Sequence, residues 1–225
     1  MKKEFFTIDE QVCGDLALKY FLKSSGADRT GPKYEKMRKQ AMAMLERFRS
    51  CMELNGETVR FDGGEYKLED RTLEIEDAVF HCNVFQQIRP DMLEGVYVYA
   101  CTAGDYDFSE MDILNRVYAD LWGNSYVEAI REMIRENLSR EHRLSDSFGP
   151  GFFGMSTSSL LDLAKLLDFD KLGISVREPG VMEPQKSCAG IIFRVNDQYH
   201  ELRSQCEYCS GSPISCSVCR AGRNV

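Results

Sequence analysis

Between Gly95 and the pair Ala103-Gly104 stand seven consecutive uncharged residues, Val96-Tyr97-Val98-Tyr99-Ala100-Cys101-Thr102. β-Branched and aromatic side chains dominate the run and small residues close it on both sides, so it reads as the strongest strand in the chain. Behind it, residues 109–138 repeat apolar pairs at 113/114, 117/118, 121/122, 129/130 and 133/134, the period of the longest helix. Gly123-Asn124-Ser125 falls in its middle, and the capping-box spacing of Ser125 and Glu128 predicts a kink or a restart there. The acidic run Asp105, Asp107, Glu110 and Asp112 suits the positive end of this helix.

The remaining elements are shorter. Residues 8–23 and 33–53 carry apolar stripes of helical spacing, with Thr7 or Asp9 able to cap the first and Asn55-Gly56 ending the second. Thr58–Phe61 and Tyr66–Leu68, joined by Asp62-Gly63-Gly64-Glu65, predict a hairpin. Leu73 and Ile75 continue in extended style, and residues 79–85 fit strand or helix. Residues 145–154 read as a glycine-rich loop, 157–167 as a helix, and 174–176 and 190–195 as strands. Helices and strands mix without regular alternation, which predicts an α+β fold with a mainly antiparallel sheet rather than a doubly wound parallel one.

Charge limits the partners. Lys and Arg total 28 against 36 Asp and Glu, a net charge of −8, which argues against a nucleic-acid backbone as partner. No uncharged apolar run approaches the roughly 20 residues of a membrane helix. Lys2 and Lys3 are followed by acids rather than an apolar stretch, so the start is no secretory signal and the expected location is cytoplasmic.

Nine cysteines divide into two groups. Cys13, Cys51, Cys82, Cys101 and Cys188 are scattered among apolar neighbours and read as small buried hydrophobes. Cys206, Cys209, Cys216 and Cys219 form two Cys-x-x-Cys knuckles in a distinct tail, 205–225, after a domain spanning 1–204 whose helices 8–53 pack on it. Four thiolates so placed suit one zinc ion or an iron–sulfur cluster, with disulfides and unligated thiols as the alternatives. His81, His142 and His200 show no ligand spacing, and His142 falls in a charged turn. Tyr97, Tyr99, Tyr106 and Phe108 read as core aromatics that also suit a flat cofactor face. The loop Gly149-Pro150-Gly151-Phe152-Phe153-Gly154, followed by Ser156 to Ser159, reads either as a tight turn with a hydroxyl cap or as a helix start offering amides to an anion.

The stretch from Pro150-Gly151-Phe152 to Gly190 resembles the reactivation domain of cobalamin-dependent methionine synthase, closest to its small stand-alone versions in anaerobic bacteria. The resemblance is carried by Leu166-Leu167-Asp168, Gly173-Ile174-Ser175-Val176, Glu178, Met182-x-Pro184 and Ser187. It extends over residues 75–200 and is sharpest at 147–190. It implies a C-shaped α+β domain with a bent antiparallel sheet that binds S-adenosylmethionine and docks over a cobalamin held by another domain. Ser147, Gly149, Pro150, Gly151 and Phe152 match the ligand loop, and Glu183 lies opposite. Three matched positions depart from the family: Ser147 and Glu183 replace an arginine and a tyrosine, and Phe152 replaces a tyrosine. A serine hydroxyl does not replace a two-pronged guanidinium grip on a carboxylate, which counts against S-adenosylmethionine as ligand, with Arg143 as a replacement only by another path.

The resulting expectation is an accessory protein of corrinoid-dependent methyl transfer, docking on a corrinoid protein and assisting its reductive reactivation or methylation. Its rivals are a non-catalytic binding module braced by a zinc knuckle and an S-adenosylmethionine-dependent methyltransferase.

Overall fold

The computed structural model describes residues 2–49, 52–106 and 111–200. The main sheet has five strands in the order β1-β2-β6-β10-β7, every neighbouring pair antiparallel. They are β1 (Lys2–Thr7), β2 (Asn55–Phe61), β6 (Leu93–Thr102), β7 (Leu144–Phe148) and β10 (Ser187–Val195). β3 (Tyr66–Glu69), β4 (Thr72–Ile75) and β5 (Ala78–His81) make a second antiparallel sheet, and β8 (Ser175–Arg177) pairs β9 (Val181–Glu183). The helices are α1 (Glu10–Ser25), α2 (Pro32–Arg49), α3 (Ile113–Ser139), α4 (Ser159–Leu166) and α5 (Phe169–Leu172). The α+β class and the antiparallel main sheet are as expected. No helix among the described residues is long and apolar enough to cross a membrane.

β6 is uncharged and buried from Gly95 to Thr102 because both of its faces are covered there. Val96, Val98 and Ala100 join the core beneath β3–β5, α4 and α5, whereas Tyr97, Tyr99 and Cys101 join the core under α1, α2 and α3. Alternate residues of a strand point to opposite faces, so one run serves two cores. Tyr97, Tyr99 and Tyr106 are core aromatics, as expected, and Phe108 lies outside the described residues. Cys13, Cys82 and Cys101 are buried and Cys188 half-buried, while Cys51 lies outside the described residues. Burial pushes the Cys13 thiol up to about 12, so it packs as a neutral group.

Several local expectations are corrected. The turn after β2 forms, yet it closes no hairpin: β2 pairs β1 and β6, and β3 pairs β4. β1 is exposed at five of its six residues, with Phe6 half-buried, so it carries no burial pattern in the sequence and is held by the ladder to β2. Asn55-Gly56 opens β2 rather than ending a helix. Residues 144–148 are an edge strand, so Ser147 sits in β7 and not in a loop. α3 runs unbroken through Gly123, where Ser125 Oγ donates to the Leu121 carbonyl. A Cβ on Gly123 would stand 2.8 Å from Lys186 Cγ; that glycine gives room for the lysine stem to cross the helix and reach Asp120 and Asn124. Asp9 caps α1, accepting from Gln11 and Val12 N–H, and Asp112 caps α3, accepting from Asn115 N–H. Asp107 and Glu110 lie outside the described residues.

Glu57 stands out in the core. It is fully buried on β2, with Oε2 accepting from Asp168 N–H at 2.7 Å and Oε1 left without a hydrogen bond. Burial raises its pKa above the ordinary carboxylate value, against the pull of the Asp168 N–H and Lys3. A raised folded-state pKa means the folded chain binds this proton more tightly than the unfolded one. Stability from this group is therefore greatest below the ordinary carboxylate range and falls as pH climbs to the raised pKa. Glu57→Gln is expected to gain on the order of 1 kcal/mol at neutral pH by removing a poorly solvated charge, about 3 °C in a chain this size. Melting curves from pH 4 to 8 check this; a variant whose stability still falls with pH as steeply as the wild type sinks it.

Candidate functional site

Residues 149–154 connect edge strand β7 to the entry of α4. The backbone there takes left-handed conformations at Gly151 (φ +88°), Phe153 (φ +51°) and Gly154 (φ +80°). A phenylalanine in this region costs on the order of 1 kcal/mol or more and persists only where its surroundings hold it. They do here: the Phe153 carbonyl accepts from Asn83 N–H at 2.8 Å, and its ring meets Phe148 edge-on. Gly151 N–H donates to the Met155 carbonyl and Met155 N–H to that of Phe152, so the turn is closed on itself. Holding Phe153 down leaves Phe152 pointing outward, 64% exposed.

A hollow of about 540 Å³ opens beside this turn. Gly149, Pro150 and Phe152 form one wall, Val181 and Met182 of β9 another, and Tyr99, Ser147 and Cys188 reach it from the main sheet. A second concavity of about 530 Å³ adjoins it, sharing Arg131 and Ser147 and continuing past Glu132, Glu136 and Asp146. The first lobe is mostly apolar and the second mostly charged.

The hydrogen bonds at the junction are specific. Ser147 and Tyr99 hydroxyls lie 2.6 Å apart, and Cys188 Sγ is 3.7 Å from the same tyrosine oxygen. Burial pushes both Tyr99 and Cys188 up, so they are a phenol and a thiol rather than anions. Arg131 and Arg135 sit one turn apart on α3. Arg135 donates to the Ser145 carbonyl, while Arg131 pairs with Glu128 on its own helix.

Of the sequence-expected site residues, Ser147, Gly149, Pro150 and Phe152 line the hollow together. Gly151 shapes the turn without lining it. Glu183 stands one residue beyond Met182 on β9, outside the lining, with its carboxylate 2.6 Å from Arg177. Arg143 is elsewhere, bound to Asp197 and the Tyr199 carbonyl. The anion reading of the α4 entry fails, because the amides of Ser158 to Leu161 are taken: Ser158 N–H donates to Ser156 Oγ, and the next three to the carbonyls of Ser156, Thr157 and Ser158. His142 is half-buried beside Tyr97 rather than solvated, its pKa lowered by burial and by Arg194 and Arg60. Cys206, Cys209, Cys216 and Cys219 lie outside the described residues; among the described ones no three His, Cys, Asp or Glu side chains gather as metal ligands.

Arg131, which sequence reading passed over, is a central residue of the site. On an amphipathic helix it reads as a surface charge paired with Glu128 three residues away. Only the packing of α3 across the sheet brings it to Ser147.

No family model matches the chain, and no curated protein matches it. Thirteen chains of solved structure do match. One is the crystal structure of the MetH reactivation domain bound to AdoHcy, with a TM-score of 0.68 over 89% of this chain and 80% of that one, at 14% identity. The two share a fold.

Proposed function

We propose that this chain is an accessory protein of corrinoid-dependent methyl transfer, placing its hollowed face against a corrinoid held by a partner and assisting that corrinoid's reductive reactivation or methylation. One observation carries the reading: an open hollow of about 540 Å³ lies beside the Gly149–Phe152 turn, in a fold shared with a reactivation domain. Its size is that of a small-molecule site. Its neighbour of known structure holds AdoHcy, and an S-adenosyl amino acid is the ligand class this reading assigns to the hollow.

Phe152 is the docking anchor in this reading. A large apolar ring held out at a rim by a strained neighbour has no role in the chain's own core, and aromatic anchors dominate interfaces. The test is a pull-down with the full chain from anaerobic lysate, scored by corrinoid absorbance and by mass spectrometry. Wild type is expected to retain a corrinoid protein, and Phe152→Ala to lose retention at least tenfold, about 1.4 kcal/mol or more, with an unchanged melting temperature. Failure of the wild type to retain any corrinoid protein, where a known pair is captured, overturns the proposal.

A second reading is favoured by the serine at position 147: without a guanidinium there, the hollow would take a ligand that has no carboxylate. The placement of α3 bears on that choice.

A further inference from the structure

We infer that Arg131 of α3 supplies the carboxylate grip that position 147 lacks, so that the hollow takes an α-amino acid carried on a flat apolar group, the carboxylate at Arg131 and the apolar end in the lobe walled by Pro150, Phe152, Val181 and Met182. The inference deepens the ligand class assigned above and rests on that reading.

Five observations carry it. Arg131 and Ser147 are the pair that line both lobes, so the guanidinium stands at the boundary between apolar and charged surfaces. It is the one charged side chain lining the apolar lobe among the described residues, and an incoming ligand that reaches it is selected for negative charge. Ser147 is occupied elsewhere, its hydroxyl 2.6 Å from that of Tyr99, and its small size leaves the space before Arg131 open. The arginine's own bond engages one terminal nitrogen with Glu128, whereas a guanidinium has five donors in a planar fork. Beyond Arg131 the second lobe presents Glu136, an acid able to receive an ammonium group next to the carboxylate, whereas Glu132 there already accepts from the Tyr20 hydroxyl. The arrangement suits a zwitterion at one end and an apolar ring at the other.

The Arg131–Glu128 pair spans three residues on one helix, with side chains 39% and 41% exposed. Pairs of this kind contribute little to stability, so Arg131 can be replaced without unfolding the chain.

The experiment is calorimetric titration of the full chain with two probes, S-adenosylhomocysteine and 5′-methylthioadenosine, which share the adenosyl sulfur and differ in the amino-acid end. Wild type is expected to prefer S-adenosylhomocysteine by tenfold or more. Arg131→Gln should erase that preference, weakening S-adenosylhomocysteine 10- to 100-fold while methylthioadenosine is unchanged, which also reports an intact site. Arg131→Lys, a charge without the fork, should recover part of the loss. If Arg131→Gln binds S-adenosylhomocysteine as the wild type does, or if the wild type binds both probes equally, the grip is refuted while the ligand class stands. If the wild type binds neither probe at millimolar concentration, the ligand class falls and the grip with it.

Discussion

Gly180→Ala is expected to lower the melting temperature by roughly 10 °C and to deform the hollow. Gly180 is buried with φ +111°, and a Cβ there would stand 2.2 Å from the Thr157 carbonyl oxygen and 2.4 Å from its carbon. These are backbone atoms, so no flexible side chain can swing away. The Thr157 hydroxyl donates to the Pro179 carbonyl at 3.1 Å, which ties the β8–β9 turn to the start of α4 and opposes separation. Backbone strain of about 1–3 kcal/mol and overpacking of similar size sum to roughly 4 kcal/mol, and each kcal/mol moves a chain of this length about 2–4 °C. Because Val181 and Met182 follow directly and wall the hollow, the binding of S-adenosylhomocysteine proposed above should fall with stability. Calorimetric melting checks the first part; a midpoint within 2 °C of wild type would mean that the hairpin is free to ride away from α4.

Trp122→Ala should cost about 3–5 kcal/mol, hence about 10 °C or more. The chain's one tryptophan is fully buried on α3. It stacks on Phe21 of α1 at 4.2 Å and 15°, and its Nε1–H donates to the Ala41 carbonyl of α2 at 2.9 Å. A single side chain thus joins three helices over one face of the sheet, and truncation leaves both a cavity and an orphaned carbonyl. Trp122→Phe keeps the apolar contact and loses the hydrogen bond, so it should recover most of the loss, to within about 1–2 kcal/mol of wild type. Circular dichroism follows both variants. Equal melting temperatures for Trp122→Ala and wild type would show that α1 and α2 contribute no stability through this contact.

α1, α2, β6 and α3 were legible because each buries a regular stripe or run, and burial writes its period into the sequence. β1 was not, since an edge strand of exposed residues is held by backbone hydrogen bonds that any side chain permits. The turn at 62–65 was found from its glycines, but its strands went to other partners: turn residues specify local chain reversal, whereas β2 is claimed by the apolar surface of β6. β7 reads as loop in the sequence because Leu144–Phe148 is short, hydroxyl-rich and paired on one side only. At the site, Gly149, Pro150 and Phe152 were visible as unusual backbone chemistry. Arg131 was not, because in sequence it is one more charge on a helix that has many.

The class of fold, the central strand and helix, and the turn that borders the hollow can be read from the residues in order, since these depend on propensity and periodicity along a contiguous segment. Which strands pair, the burial of Glu57 with an unmatched oxygen, and the place of an α3 guanidinium in the hollow that Ser147 of β7 also lines follow from packing in three dimensions. Residues 16 positions apart in the chain line one hollow because a helix laid across a sheet fixes neighbours by packing, and packing distance has no counterpart in linear order.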